Sequence, residues 1–317
     1  MRANGTIVVV GSLFVVFAAT FSTVFWPMIT IKDKPSEIWR APTSHEDKGR
    51  ALYMANGCTY CHTQFIRPQD WGIGAGRIAE YGDYHQQRPH LLGSERTGPD
   101  LSQEGGEHPD DWHLAHFINP RLTRPRSLMP RFEYLNQQNI VYLTDYVQGL
   151  GAKDADLRVA RQKHWKKLAM AAFKQGPDKN VEWLHSRVPP SWRAMPTESP
   201  VTHASVQRGE KIYQDYCIGC HGAVGDGFGP AAQYLKPTPL NFTILKRHLV
   251  DGKFIGGILY YQIMNGITGT AMPYFKKDLE SAKIWDVGNF IEHSFIDHRD
   301  DVYPSVGIPA AFEGKRK

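Results

Sequence analysis

Apolar residues separate this chain into a membrane segment and a longer polar part. Residues 6–26 carry no charged side chain, and about 20 such residues can cross a bilayer as one helix. Trp26 stands where aromatic side chains favour the membrane interface, and Pro27 is expected to end the helix. Because the apolar core of a cleaved signal peptide is usually shorter, we predict an uncleaved transmembrane anchor over residues 1–31.

Helical periodicity then occurs twice in the same order. A helix pattern at residues 46–55 precedes Cys58, and residues 138–147 are apolar at helical spacing and followed by glycines. The same two patterns stand on either side of Cys217, at residues 207–213 and 284–291. We therefore predict a mainly α protein with two similar domains, the first domain at residues 43–151 and the second domain at residues 201–317.

A basic segment at residues 152–200 is the predicted linker. Its first part places a set of apolar side chains largely opposite a set of arginine and lysine side chains, the apolar ones being Leu157, Trp165, Leu168, Ala169 and Ala172. Such an amphipathic helix could lie on anionic lipid headgroups. It could also pack against one of the two domains, and we favour this second interpretation.

Composition limits the possible functions only slightly. A chain of 317 residues with 41% hydrophobic content is long enough for two packed domains. The formal net charge is +5, but the basic residues are not interleaved with aromatic ones. Composition therefore gives no argument for nucleic acid as a partner.

The strongest chemical signal is in the cysteines, because all four lie in two copies of one pattern. Residues 58–62 read Cys-Thr-Tyr-Cys-His, and residues 217–221 read Cys-Ile-Gly-Cys-His. C-x-x-C-H is the attachment motif of c-type haem, in which the cysteines form thioethers and the histidine binds the iron. We therefore predict two covalently attached haem c groups, with Cys58, Cys61, Cys217 and Cys220 as attachment sites and His62 and His221 as iron ligands.

Zinc and disulfide chemistry are the alternatives for these cysteines. A structural zinc site needs no histidine after each cysteine pair, and a redox dithiol needs one pair only. A disulfide within C-x-x-C closes a very short loop and would constrain the unfolded chain little. Haem attachment is therefore the favoured interpretation.

Each haem iron also needs a sixth ligand, for which a methionine thioether is a common choice. Three of the eight methionines precede a proline, and Met195 is in the linker. Met129 and Met272 each lie between a motif and its closing helix, so we predict them as the axial ligands. With histidine and methionine on both irons no coordination position stays open. This favours electron transfer and predicts that the chain has no catalytic centre of its own.

The second ring nitrogen of each haem histidine should be held by a hydrogen-bond acceptor. In the first domain, Gly98-Pro99 offers a backbone carbonyl. In the second domain, Pro230 and Pro239 are equally good candidates.

Residues around the first motif resemble a known family. Thr-Gln-Phe-Ile-Arg-Pro follows His62, Glu-Tyr-Gly stands at residues 80–82, and Gly-Ser-Glu-Arg-Thr-Gly-Pro-Asp-Leu at residues 93–101. With Asp-Trp-His at residues 111–113 and Asn-Pro-Arg at residues 119–121, these stretches resemble the mono-haem subunit (subunit II) of cbb3-type cytochrome c oxidases. The resemblance extends from the anchor to about Leu150. It implies a single-span protein with a periplasmic haem domain that passes electrons to an oxygen-reducing catalytic subunit.

The second domain departs from that family, whose subunit ends after one haem. Its motif, with Gly-Asp-Gly-Phe-Gly-Pro at residues 225–230, resembles a generic class I cytochrome c domain. We expect a fusion in which electrons enter at the second haem and leave at the first. The added domain would then replace part of a separate dihaem subunit of the oxidase.

These expectations define the partners and the location. The partners are a multi-span haem-copper catalytic subunit, other oxidase subunits, and a soluble or membrane-bound electron donor. Lysines and arginines after the anchor slightly favour a cytoplasmic location, but bacteria attach haem c outside the cytoplasmic membrane. We therefore expect the haem domains on the periplasmic side of that membrane. The alternatives are a nitric oxide reductase cytochrome subunit, a free-standing anchored electron shuttle and, less favoured, a dihaem peroxidase.

Overall fold

The computed structural model describes residues 4–73, 77–249 and 254–297, and it is mainly helical. No β-strand occurs in these three ranges, so the mainly α prediction is confirmed. The chain divides into two compact units, one of residues 1–40 with 79–90 and the other of residues 41–78 with 91–317. The longer helices are α1 (Gly5–Thr30), α2 (Ser44–Ala55), α3 (Asp110–Ile118), α4 (Gln137–Gln148), α5 (Ala152–Lys174), α6 (Pro177–Ser186), α7 (His203–Tyr216), α8 (Gly256–Asn265) and α9 (Ser281–Ile291).

Helix α1 is the one helix, within the described residues, that is long and apolar enough to cross a membrane. The expectation that Pro27 ends this helix is wrong, because α1 continues to Thr30. A π-helical turn at Phe21–Phe25 precedes the proline, and the backbone N–H of Trp26 donates to the carbonyl oxygen of Phe21. This wider turn shifts the hydrogen-bond register just before Pro27, which has no N–H to donate.

The residues after α1 are held by residues 79–90 of the same unit. Asp33 accepts hydrogen bonds from His85, at 2.7 Å, and from Arg88, at 3.2 Å. The indole N–H of Trp39 donates to the carbonyl oxygen of His85 at 3.1 Å. Residues 79–90, predicted as part of the first domain, therefore belong to the same compact unit as the anchor.

The first and last helices of the first domain, α2 and α4, pack directly against each other. Gly49 of α2 lies against the carbonyl group of Tyr142 in α4, so closely that a Cβ there would overlap it. The aromatic and aliphatic side chains that fill the adjoining core are Tyr53, Phe117, Phe132, Ile140, Leu143, Tyr146 and Val147. This crossing brings Cys58, which follows α2, onto the same core as the closing helix.

The second domain repeats this arrangement with α7 and α9. Gly209 of α7 lies against the carbonyl group of Asp286 in α9. Arg208 donates two hydrogen bonds to the carboxylate of Asp286, at 2.7 and 2.8 Å. Both entry helices also begin with a capping box, formed by Thr43 and Glu46 in α2 and by Thr202 and Ser205 in α7.

Helix α5 of the linker packs on both domains. Arg158 donates to the carbonyl oxygens of Gly105, at 2.7 Å, and Gln103, at 3.0 Å, in the first domain. The side chain of Gln162 accepts from the backbone N–H of Gly269 in the second domain at 2.7 Å. The buried side of α5 consists of alanines, and the predicted apolar residue Leu157 is exposed. Contacts to both domains support packing rather than lipid binding as the role of this helix.

Candidate functional site

The first motif follows directly from the end of α2. Gly57 adopts a left-handed conformation, and Cys58–Tyr60 form a single 3-10 turn. This turn lets the backbone N–H of His62 donate to the carbonyl oxygen of Cys58 at 3.0 Å. The two cysteines and the histidine are therefore presented from one short turn.

The imidazole of His62 is held from one side by a backbone carbonyl. Its Nδ1 lies 2.8 Å from the carbonyl oxygen of Pro99, as the sequence predicted for Gly98-Pro99. Because a carbonyl oxygen only accepts, Nδ1 carries the proton and Nε2 is left with a free lone pair. Burial lowers the pKa of His62, so the ring is neutral at neutral pH, the form that binds a metal.

Met129 lies on the same core as the first motif. Both Met129 and Cys58 are partly buried and pack against the core cluster of the first domain. The backbone of Met129 is held on both sides, since its N–H donates to Ser127 Oγ at 3.2 Å and its carbonyl oxygen accepts from Arg121 at 3.1 Å. Met129 is therefore on a fixed loop next to the attachment motif.

The second motif has a similar local geometry. Cys217 ends α7, and Ile218–His221 form one helical turn. His221 Nδ1 lies 3.1 Å from the carbonyl oxygen of Leu240. Both proline candidates for this acceptor, Pro230 and Pro239, are therefore wrong. The chain turns so that the carbonyl of the residue after Pro239 faces the ring.

The predicted residues of the second domain meet around one cavity. About 990 Å³ of space, open solvent included, lies between its lining residues. Cys217, Cys220, His221 and Met272 all line it, among mostly apolar neighbours. The Met272 loop is fixed by a hydrogen bond from the Met272 N–H to Thr270 Oγ1 at 3.1 Å. An imidazole, a thioether and two thiols thus share one largely apolar space.

Burial decides the protonation of these groups. It raises the pKa of Cys58 to about 11 and those of Cys217 and Cys220 to about 12. It lowers the pKa of His221 to about 4. Cys58, Cys217 and Cys220 are therefore neutral thiols, and His221 is neutral, the form of histidine that coordinates iron.

The structure also bears on the zinc and disulfide alternatives. None of the four cysteines is joined to another by a disulfide. In the described ranges, one group of His, Cys, Asp or Glu donors is close enough to share an ion, and it consists of Glu104, His108 and His113. This group contains no cysteine, so the two motifs do not combine into a four-cysteine site. The residues at each motif fit a covalently held haem with histidine and methionine ligands.

Two residues of the first domain line the second cavity, and the sequence did not predict this position for either of them. They are Trp112 in α3 and Thr123 in the loop that follows α3. Their position depends on how the two domains pack against each other. Neither local periodicity nor motif spacing contains that information.

Comparisons with known proteins match two family models to different parts of the chain. A family model described as "Cytochrome C oxidase, mono-heme subunit/FixO" matches residues 1–186. A second model, described as "Cytochrome C oxidase, cbb3-type, subunit III", matches residues 204–291. The two matched regions together include both C-x-x-C-H motifs, and the first extends beyond the predicted first domain into the linker helices α5 and α6.

Individual relatives are more distant. The chain is 28% identical over 100 residues to one of the subunits of nicotinate dehydrogenase from Pseudomonas putida, a region that is 30% of this chain and 8% of that protein. The chain thus spans a small fraction of that relative's length. Among solved structures, a reducing HAO-like protein complex from Kuenenia stuttgartiensis is similar over 82% of this chain and 100% of its own, with 18% identity and a TM-score of 0.27.

Proposed function

Since the chain belongs to the family of cytochrome c oxidase mono-haem subunits, we propose that it is a dihaem cytochrome that carries electrons to the catalytic subunit of a cbb3-type oxidase. Its family makes it a membrane cytochrome c subunit of such an oxidase, with covalently bound haem c. The proposal adds a second haem, the axial ligands and the electron-transfer role. It also adds a single membrane span with the haem domains in the periplasm.

The observation that carries the second haem is the cavity of the second domain. Cys217, Cys220, His221 and Met272 line this one space, and the subunit III model matches the surrounding residues 204–291. In the first domain, Cys58 and Met129 pack on one core. We assign His62 and Met129 to the first iron, and His221 and Met272 to the second.

The protein's own groups would adapt each haem to electron transfer. Bound haem c supplies an iron that changes between the ferric and ferrous states. The carbonyl oxygens of Pro99 and Leu240 fix the tautomer and orientation of His62 and His221, respectively. Methionine as the sixth ligand raises the reduction potential and leaves no position for a substrate. The chain would therefore relay electrons, and oxygen would be reduced in a partner subunit.

We place the electron entry at the second haem and the exit at the first. The first haem domain is the part that matches the established oxidase subunit, and it directly follows the anchor in the chain. The second domain matches a model described as subunit III of cbb3-type oxidases. This match supports a fusion in which the second domain replaces part of the electron-transfer function of a separate dihaem subunit.

Purification of the native complex tests this function. The full-length chain carries a C-terminal tag, is expressed in its own host and is isolated in mild detergent. We expect two haem c per chain by the pyridine haemochrome assay, together with a co-purifying multi-span haem-copper subunit and oxygen consumption. A His221→Ala, Cys217→Ala, Cys220→Ala variant should contain one haem c and still bind the catalytic subunit.

Measurements on the same preparation can also contradict the proposal. One haem c in the unmodified chain would rule out the dihaem assignment. A complex that reduces nitric oxide but not oxygen would favour the reductase alternative. Recovery of the chain without any membrane partner would favour the free-standing shuttle. A separate, complete dihaem subunit in the same electron path would contradict the proposed replacement.

A further inference from the structure

The two haem domains share a small apolar core. Trp112 and Ala115 of α3 pack with Ala231, Leu235 and Ala271 of the second domain. Cys220, an attachment cysteine of the second motif, is partly buried against the same cluster. The first domain therefore reaches the attachment motif of the second domain.

The loop after α3 makes the closest approach. The carbonyl oxygen of Leu122 lies against Gly219, the residue before Cys220, so closely that a Cβ on Gly219 would overlap it. Ion pairs at 3.1 Å hold this loop, one from Arg124 to Asp278 and one from Arg126 to Asp215. The second motif is thus covered by backbone of the first domain.

Asp111 fixes the start of α3 against the same surface. Its carboxylate accepts a hydrogen bond from the backbone N–H of Lys236 at 2.8 Å and pairs with Lys166 of the linker helix at 2.5 Å. Trp112, the next residue, is 7% exposed. Three parts of the chain therefore determine where the indole lies.

The indole of Trp112 is held between two imidazoles. It stacks on His108, with 3.8 Å between ring centroids and 21° between planes, and on His116, at 4.6 Å and 11°. His116 in turn lies 2.7 Å from the hydroxyl of Thr123, the other first-domain residue that lines the second cavity. Trp112 and Thr123 are thus parts of one buried, ordered group.

We propose that the second haem site is a composite site, closed by Trp112 and Thr123 of the first domain. This inference rests on the proposed dihaem function. The indole excludes water from the cavity that His221 and Met272 line. Since the ferric state carries more charge than the ferrous state, a drier site favours the ferrous state and raises the reduction potential. The interface would therefore set the potential of the second haem.

The same loop also carries the proposed ligand of the first haem. Thr123 lines the second cavity, and Met129 packs on the core of the first domain a few residues later. Between them, Arg124 and Arg126 make the two ion pairs to the second domain. One short, fixed segment thus links the surroundings of both haem sites.

Redox potentiometry of the full-length holoprotein, monitored by EPR to separate the two low-spin haems, tests this inference. For Trp112→Ala we expect the ferric/ferrous ratio of the second haem to rise about tenfold at a fixed ambient potential, which is a fall of about 59 mV for a one-electron couple. Trp112→Phe keeps an apolar ring and should shift the same potential less. The matched control, Leu157→Ala, shortens an exposed apolar side chain that does not line the cavity and carries no charge, and it should leave this potential unchanged.

Haem content separates a failure of this inference from a failure of the dihaem function. Two haems per chain with unchanged potentials in both Trp112 variants would overturn the composite site. An equal shift after Leu157→Ala would also overturn it, because the effect would then not depend on the indole that lines the cavity. One haem c in the unmodified chain would overturn the dihaem function itself. If Trp112→Ala does not fold, Trp112→Phe tests the composite site. A lower reduction potential of the second haem in Trp112→Phe would support the composite site, and an unchanged potential would overturn it.

Discussion

Gly209 lies so close to the carbonyl oxygen of Asp286 that any side chain at this position would overlap it. The same relationship joins Gly49 and Tyr142 in the first domain. Each domain therefore depends on one glycine for the contact between its entry and closing helices. The two crossings also hold the attachment motif near its closing helix.

Substituting Gly209 with alanine is expected to destabilise the second domain. The added methyl group meets backbone, which cannot move aside as a side chain can, and such overpacking costs about 1–3 kcal/mol. Chemical denaturation followed by circular dichroism measures the loss. Gly288→Ala is the matched control, because a Cβ there has open space and alanine favours a helix by about 0.5–1 kcal/mol. Equal midpoints for both variants would contradict the close crossing.

Met272→Ala should change the second haem specifically. Loss of the thioether removes the ligand that raises the reduction potential, so we expect the potential of one haem to fall by more than about 59 mV, a tenfold change. Optical and EPR potentiometry should also show one haem leaving the low-spin state. Met264→Ala is the control, because Met264 packs against the same core without being a proposed ligand. An unchanged low-spin spectrum in Met272→Ala would exclude Met272 as the ligand.

Asp70 should stabilise the segment after the first motif in a pH-dependent manner. Hydrogen bonds from Arg67 and Arg96 hold the pKa of its carboxyl well below the ordinary value of 3.8. A carboxyl group whose pKa is lower in the folded state than in the unfolded state stabilises the fold at pH values above the unfolded-state pKa. This stabilisation is lost as the pH falls through the folded-state pKa. Asp70→Asn should therefore lower the midpoint of thermal unfolding at pH 7, and the difference should shrink below about pH 4.

A matched carboxylate provides the comparison for Asp70. Asp145 pairs with His45, but its side chain is 40% exposed, so Asp145→Asn should change stability little. Arg96 also donates to Thr63 and to the carbonyl oxygen of Phe65, which connects Asp70 to the residues next to His62. A difference between the native chain and Asp70→Asn that does not vary with pH would contradict this assignment.

Arg158→Met tests whether the linker helix is structural. The guanidinium donates to two backbone carbonyl oxygens of the first domain, and hydrogen bonds to a charged group are worth about 1.5–3 kcal/mol. We expect a loss of that order in the free energy of unfolding. Arg161→Met removes the same charge from an exposed position of α5 and serves as control. If both variants are as stable as the native chain, the lipid-binding interpretation of α5 gains support.

The sequence predicted well those features that depend on residues close to one another along the chain. The C-x-x-C-H spacing located His62 and His221 beside their cysteines, and Gly98-Pro99 located the carbonyl that holds His62. Helical periodicity located the entry and closing helices, because a buried helix face repeats every few residues.

What the sequence missed depends on contacts between distant segments. The partner of His221 is Leu240 rather than a proline, because the direction of that carbonyl depends on how the loop folds over the ring. Trp112 stood out only as part of a family motif, and its position at the second cavity follows from the packing of two domains. The continuation of α1 past Pro27 depends on a π-helical turn, which has no clear sequence signal.

The contacts between Asp33 and residues 79–90 have a consequence for controlled proteolysis. The anchor unit includes a second stretch of chain, so it is joined to the rest of the protein at three points along the chain rather than at one. A single cut near residue 41 would leave residues 79–90 attached to Asp33 through His85 and Arg88. Release of the haem domains from the membrane would then require either further cuts or disruption of these ion pairs, and a nicked preparation should still sediment with membranes.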